Sequence, residues 1–284
     1  MIRNRSLLFI LAILGAASSA CSVYVDSDRH QCKAQEDCAA LGTAYADYVC
    51  KDFLCQAPEA PVDQTWACLD ATPEPVSGSV QVNITLVDLL KQTPLEGVTL
   101  SLCAKLDGTC SLPMQPQYVS NSAGQIDVVM PAGFDGYFQA DGAGIYPSLI
   151  FPPSTRKQRA PSTIPLMAYD FFATMAKGVR ATVTADRSAI LMTALDCLGR
   201  PAAGLQLSSP DIDAETVSYL IAGGMPSRTV TVTDESGNGG FVNVPAGTVI
   251  INSSLEAGNR PVGTAGVQAR AGRVSMAIIM PNGS

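Results

Sequence analysis

One stretch constrains this chain more than any other. Residues 229–253, TVTVTDESGNGGFVNVPAGTVIINS, alternate apolar and polar side chains, break at Asp and Gly, resume, turn on Pro-Ala-Gly and alternate again. Alternation with a period of two residues marks strands with one buried face, and clusters of Gly, Asn, Asp and Pro mark turns. A looser copy, YVSNSAGQIDVVMPAGFDGYFQA, occupies residues 118–140. A strand–turn–strand unit met twice predicts a tandem of one β-module. With 284 residues, 47% hydrophobic and 15% charged, the chain has the material for two cores.

The rest of each copy follows the same alternation. In the first, Val80, Val82, Ile84 and Leu86 alternate with Gln81, Asn83 and Thr85. Pro94-Leu95-Glu96-Gly97 turns into Val98, Leu100 and Leu102, and Ile126, Val128 and Met130 precede Pro131-Ala132-Gly133. In the second, Ile190, Met192 and Ala194 open, and Pro201-Ala202-Ala203-Gly204 leads into Leu205 and Leu207. Residues 229–233 and 240–244 read as further strands, Pro245-Ala246-Gly247 turns the chain, and Val274, Met276, Ile278 and Met280 close it. Corresponding features lie about 105–115 residues apart, the size of one sandwich. Residues 66–160 and 181–284 are assigned to the two sandwiches. Between them, residues 161–180 carry Ile164, Met167, Phe171 and Met175 at helical spacing, with Ser162 or Thr163 to cap the start and Gly178 to end it after Lys177. That predicts one amphipathic connecting helix. The expected fold is mostly β, two tandem Greek-key β-sandwiches with a short helix between them and a small disulfide-rich N-terminal module.

Two motifs carry a family resemblance. One is Pro-x-x-Gly-(Val/Leu)-x-Leu, here Pro201 to Leu207; the other is a Gly-x-Phe-x-Asn-Val-Pro-x-Gly hairpin, here Gly239 to Gly247, after the turn at Thr233-Asp234. Together they resemble the carboxypeptidase-regulatory-like, or transthyretin-like, family of β-sandwiches. The first copy departs from the pattern, lacking the Phe and the Asn in residues 125–133. The resemblance implies the sandwich fold and no chemistry, since the motif residues serve turns and cores. Enzymes on similar sandwiches, the purine-breakdown hydrolases and the intradiol dioxygenases, need several histidines for proton transfer or iron. This chain has one, His30, outside both modules. A Ser-His-Asp triad is excluded on the same ground, and no Gly-rich phosphate cradle opens a helix. A Ser-Lys or carboxylate-pair hydrolase is not removed by counting, but no pattern suggests one. No catalytic residue, cofactor or metal site is assigned.

The N-terminus addresses the compartment. Arg3 and Arg5 precede the apolar run at residues 7–14, and small residues lead to Cys21. The run is far shorter than the roughly 20 residues that span a bilayer, so residues 1–20 read as a signal peptide. The segment resembles a bacterial lipoprotein signal, which implies that Cys21 becomes the acylated mature N-terminus. Ser18 stands where that family usually has Leu, and ordinary cleavage after Ala20 is the alternative. By the same resemblance, Ser22 after the Cys points to the outer membrane. The membrane, through this anchor, is thus the first expected partner. The layout of lipoprotein signal, Cys-rich module and β-repeats is similar to that of soil- and predatory-bacterial lipoproteins.

Setting Cys21 aside leaves eight cysteines, an even number suited to an oxidising compartment. Residues 21–30 form a tether and 57–65 a Pro-rich linker. Between them, residues 31–56 hold Cys32, Cys38, Cys50 and Cys55 with few large apolar groups, a stapled mini-fold. Three connectivities are possible. A likeness to many small modules favours the interleaved pairs Cys32–Cys50 and Cys38–Cys55. Cys103 and Cys110 bracket an Asp-Gly turn, so a local bridge is geometrically easy. Cys68 and Cys197 remain, and pairing them would staple the entry of the first module to the second.

Other candidates have plain structural readings. The lone Trp66 is expected to anchor packing at a junction, and Arg156, Lys157 and Arg159 to be a solvated loop. Asp211, Asp213 and Glu215, and again Asp234, Glu235 and Asn238, offer oxygen ligands of the kind Ca²⁺ takes, but neither has the ligand count or the glycine of an EF-hand. Solvated turns are the expectation for both. Tyr146, Tyr169 and Tyr219 are scattered along the chain, and aromatics total 6%, which argues against a sugar-stacking platform. A net charge of -7 repels nucleic-acid phosphates. A non-enzymatic envelope protein with a structural or adhesive role is the leading expectation, with an envelope protein or polysaccharide as possible partner. The alternative is a module that binds carbohydrate or peptide at one sandwich end.

Overall fold

The structure, a computed structural model, describes residues 31–57, 64–72, 76–114, 117–153 and 162–282. The chain divides into two compact units, Met1–Val62 and Asp63–Ser284. The signal segment, Cys21 and His30 lie outside the described residues. In the first unit, helix α1 (Gln35–Ala40) precedes a hairpin of β1 (Val49–Lys51) and β2 (Leu54–Gln56), paired with Cys50 opposite Cys55. Cys32 is bonded to Cys50 and Cys38 to Cys55. Cys32 and Cys38 are buried while Phe53 and Leu54 are exposed, so sulfur supplies the core that so small a fold otherwise lacks.

The second unit contains the repeat. Its first copy comprises β3 (Ser79–Asp88), β4 (Thr99–Ala104), β5 (Tyr118–Val119), β6 (Gln125–Pro131), β7 (Gly136–Asp141), β8 (Ser148–Phe151) and β9 (Ser162–Leu166). Helix α2 (Tyr169–Gly178) follows. The second copy comprises β10 (Arg187–Ala194), β11 (Leu205–Ser208), β12 (Val217–Ala222), β13 (Met225–Ser227), β14 (Asn238–Pro245), β15 (Gly247–Leu255), β16 (Pro261–Ala269) and β17 (Val274–Ile279). In the first copy β3 runs antiparallel to β6 and parallel to β9, and β4–β7–β8 face them. In the second, β10 runs antiparallel to β14 and parallel to β17, and β11–β15–β16 face them. The two are the same sandwich.

The sandwiches are not separate beads. The edge strand β8 of the first pairs in parallel with the edge strand β17 of the second, from Ser148 opposite Val274 to Phe151 opposite Ala277. The result is one nine-stranded sheet in the order β13-β12-β14-β10-β17-β8-β7-β4-β5. All of β8 is buried, as expected of a parallel strand covered on both faces. Against one face of the sheet pack β6–β3–β9, through Ile84, Leu86, Leu100 and Phe138, and α2, through Phe172, Met175 and Val242. Against the other pack β11–β15–β16, through Ile190, Phe241, Val249 and Ile251, a core that extends to Tyr137 and Leu149 of the first copy. The two smaller sheets therefore lie on opposite faces of the large one.

The repeated motifs form the same buried polar joint twice. Thr233 Oγ1 donates to Ala202 O at 2.7 Å and accepts from Leu205 N at 3.1 Å. Ser120 Oγ donates to Leu95 O at 2.6 Å and accepts from Val98 N at 2.9 Å. The following turns close on Gly237 and Gly124, whose N–H groups donate to Asp234 O and Asn121 O. Both glycines have positive φ, 64° and 72°, and a Cβ on either would lie 2.4 Å from a strand carbonyl, Ala194 O or Leu86 O. Thus Pro-x-x-Gly-(Val/Leu) and (Ser/Thr)-(Asn/Asp)-x-x-Gly are two halves of one crossing between sheets.

Two sequence expectations need correction. The helix expected over 161–180 begins only at Tyr169; Ser162–Leu166 is a strand on β3. Pro165 accounts for the difference, because it disfavours helical geometry at Ile164 and tolerates an edge strand, where its missing N–H is not needed. The helix does end at Gly178, as expected, though the left-handed residue of its closure lies two positions further on. Arg180 takes that conformation at φ 53°, and the N–H of Ala181 reaches back to Ala176 O in a Schellman closure. Residues 229–233, expected as a strand, form none, and Thr229, Val230 and Thr231 are exposed. Their alternation reports only the arrival of Thr233 at the joint.

Candidate functional site

Cys68 is bonded to Cys197 and Cys103 to Cys110, so the eight cysteines of the described residues form four bridges. The sulfurs of Cys32, Cys38 and Cys55 lie within 4.8 Å of one another. They are held in disulfides, and zinc needs thiolates, so the cluster is a staple rather than a metal centre. Trp66 and Leu69 pack beside the Cys68–Cys197 bridge against the second-copy core, where Cys197 N donates to Thr65 O.

Among the described residues, neither acidic cluster gathers three ligand atoms at one metal-sized position. Asp213 and Glu215 grip Arg187 at 2.8 and 3.0 Å, while Asp211 accepts from Ile250 N at 2.7 Å. The Arg187 guanidinium holds the Asp213 carboxyl down at about 2. The expectation of a merely solvated turn is corrected here, since Arg187 also donates to Asn243 O and ties this loop to β14. Asp234 accepts from the N–H and hydroxyl of Ser236 and from Gly223 N, while the Asn238 side chain turns instead to Thr193 Oγ1 at 2.7 Å. The tyrosines are less scattered than their positions suggest. Tyr146 lies 5.1 Å from Tyr169 and 4.4 Å from Phe172, ring to ring, while Tyr219 is buried with its hydroxyl against Met175. The tilted rings pack on one another and offer no flat platform. The cluster Arg156, Lys157 and Arg159 lies outside the described residues.

Two features stand out, the first unmarked in the sequence and the second marked there by its bracketing cysteines. The first is a cleft of about 790 Å³ on the α2 side of the large sheet, between β9, α2 and the strands β17 and β10. Its lining is mainly apolar and includes Met130, Met167, Met175, Met192 and Met276, five of the nine methionines of the chain. Thr193, Ser236 and Asn238 give it a polar end. Its size suits a small ligand or an inserted peptide segment. The lining spans residues 82 to 278, so no local signal could have revealed it.

The second is the loop closed by Cys103 and Cys110. Leu106 is 97% exposed, Leu112 80% and Met114 47%. The backbone that carries them is braced. The Asp107 carboxylate accepts from Leu112 N at 2.9 Å, from Thr109 N and Oγ1, and from Ser111 Oγ. Led by the Leu112 amide, these donors hold the Asp107 carboxyl down at about 2. Tyr137 Oη donates to Asp107 O, and Arg270 of the second copy donates to Tyr137 Oη at 3.0 Å and to Thr109 O at 3.2 Å.

No protein-family model matches the sequence, and no curated protein does. Solved structures with local similarity include the Bacillus anthracis TIE protein, at 11% identity and TM-score 0.24, over 72% of this chain and 34% of that one. Another is the shaft pilin spaA of Lactobacillus rhamnosus GG, at 13% and 0.24, over 74% and 99%. A third is chlorocatechol 1,2-dioxygenase of Pseudomonas putida, at 11% and 0.24, over 44% and 72%. The chain spans about a third of the first of these, and likenesses at such scores carry no argument about function. No helix among the described residues is long and apolar enough to cross a membrane.

Proposed function

We propose that this is a non-enzymatic cell-envelope protein, held at the outer membrane by lipid on Cys21, whose two carboxypeptidase-regulatory-like modules form a structural or adhesive body. The observation that carries this reading is the fused sheet. Parallel pairing of β8 with β17 makes one stiff body of two sandwiches, and the most patterned residues of the chain serve its joints and cores. Four disulfides suit an exported protein. The test is twofold. Mass spectrometry of the mature N-terminus is expected to find Cys21 acylated, and an unmodified thiol overturns the anchor. Protease added to intact cells is expected to cut the protein, and protection until lysis overturns the adhesive role. A second reading, a ligand-binding envelope module, is favoured by the cleft, whose apolar lining suits a peptide side chain better than a sugar. Pull-down from the cell envelope separates the two, by whether a partner is lost when the cleft is blocked.

A further inference from the structure

The cleft beside α2 has a lining of one chemical kind. It lies between β9, α2 and the strands β17 and β10, so both copies supply its walls. In a chain that is 15% charged, not one lining residue is Asp, Glu, Lys, Arg or His. A charge taken out of water without a partner is costly, so these walls select against anions and cations alike. The methionines among them are unbranched and adapt to an irregular apolar guest. A flexible alkyl chain follows such a wall where a rigid ring system leaves gaps, and each gap forfeits contact.

The polar end adds a second, independent observation. Thr193 Oγ1 donates to Asn238 Oδ1 at 2.7 Å, and Ser236 Oγ donates to the Asp234 carboxylate at 2.6 Å. These bonds use both hydroxyl protons and leave the half-buried Asn238 amide with two side-chain N–H groups that donate to nothing among the described residues. An uncharged acceptor such as an ester carbonyl completes them, while Asp234, behind Ser236, opposes an anionic head. Other occupants fit less well. Leu166 O accepts from Leu89 N, so Ser162, Ile164 and Leu166 bond to β3, and the backbone of Thr163 and Pro165 faces away. Pro165 has no N–H and blunts that edge against an added peptide strand. Arg156, Lys157 and Arg159, outside the described residues, lie in sequence between the lining residues Pro153 and Ser162, and a lining without a carboxylate gives none of them a partner. We propose that the cleft is a binding site for an uncharged amphiphile, an alkyl chain ended by an ester, with the chain along the methionines and the ester carbonyl accepting from the Asn238 amide. This deepens the second reading above, that of a ligand-binding envelope module, and rests on it.

The test uses the mature chain with Cys21→Ser, so that no acyl group of an anchor competes. The uncharged fluorophore phenylnaphthylamine is displaced by three ligands that share one tail: methyl laurate, laurate and dodecylammonium. Methyl laurate is expected to bind at least about tenfold more tightly than either ion. Lengthening its alkyl chain is expected to tighten binding about fourfold per CH₂ until the cleft is filled, and no further. Asn238→Asp keeps the acceptor for Thr193 and replaces the two donors by a carboxylate, so dodecylammonium is expected to overtake the ester. The order of heads and the plateau are read on the unaltered cleft, so they decide the matter even if that variant does not fold. Equal or tighter binding of laurate, as contact with Arg156, Lys157 or Arg159 would give, overturns the uncharged head. Affinity that rises with chain length without limit is adsorption and overturns the site. No displacement, including because part of the chain already fills the cleft, overturns the proposal. A diazirine on the alkyl chain is expected to label the segment around Met276 and Ile278, and labelling only elsewhere refutes the placement. Bilayer lipid and free ester share this chemistry: uptake of a fluorescent diacylglycerol from phosphatidylcholine vesicles marks the bilayer as source, and binding of methyl laurate without such uptake marks a free ester. If pull-down finds a cleft-dependent protein partner while no ester binds, the module reading survives and this ligand class falls.

Discussion

The substitution Thr233→Val isolates the polar joint. Valine has nearly the shape of threonine, so no cavity opens, and only the hydroxyl is lost. Thr233 is 2% exposed, and its Oγ1 is the partner of both Ala202 O, at 2.7 Å, and Leu205 N, at 3.1 Å. The change leaves a buried carbonyl and a buried N–H facing a methyl group. Each such group costs about 1–3 kcal/mol, and the pair about 3 kcal/mol, since the two lie side by side and relax together. For a body of this size that is a fall in melting temperature of roughly 6–12 °C. Thr233→Ser keeps both bonds and loses one methyl, about 1 kcal/mol. The assay is urea denaturation followed by circular dichroism, with Ser120→Ala as the matching change in the first copy. If Thr233→Val and Thr233→Ser lose equal stability, or if Thr233→Val is neutral, the joint is not what holds the two sheets together.

Three further outcomes follow from the same geometry. Gly237→Ala and Gly124→Ala place a Cβ 2.4 Å from a strand carbonyl at positive φ and are expected to destabilise well beyond Gly199→Ala, which meets no atom within 4 Å and costs only about 1 kcal/mol for its left-handed backbone; thermal melts rank them. The Asp213 carboxyl is held at about 2 by Arg187, so its contribution to stability is complete above the unfolded value near 4 and is lost as pH falls towards 2. Carboxyl titration by NMR should show that midpoint, and Arg187→Gln should move it up towards 4. Removing the Cys68–Cys197 bridge opens a far longer loop than removing Cys103–Cys110, so in the chain-entropy model the paired Ser variants lose up to about 5 and about 2.5 kcal/mol respectively, measured by denaturant titration.

What could be read in the sequence was whatever repeats locally. The alternation of Val80 to Leu86 and of Ile190 to Ala194 is imposed by one buried face, and it places β3 and β10 without any tertiary knowledge. The turn residues were legible because their backbone conformations admit few others. Where the reading slipped, a tertiary partner had overridden a local pattern. Ile164 and Met167 fit a helical stripe, yet Ile164 lies opposite Leu86 in a parallel pair. Thr229 to Thr233 alternate, yet only Thr233 has a buried partner. The fused sheet and the cleft were not legible at all. Both depend on which free edge of one copy meets which edge of the other, and nothing in β8 or β17 alone names its neighbour. The loop of Cys103 and Cys110 was legible as a closed turn, but the exposure of Leu106 on it was not, because apolar residues are expected inside.

The Cys68–Cys197 bridge has a mechanical meaning. It joins the chain just before the first copy to the chain just after the first strand of the second. A pull on the N-terminal side therefore enters at Cys68 and passes through the sulfurs to Cys197, bypassing everything between. The whole first sandwich hangs from the load path as a side loop that tension on the chain ends cannot unravel, whatever the strength of its hydrogen bonds. Only the part of the second copy after Cys197 bears the strain, so stretching the oxidised protein would extend it by that segment and the linkers alone, with β10 held in the bypassed loop. Reduction would return the first copy to the line of force.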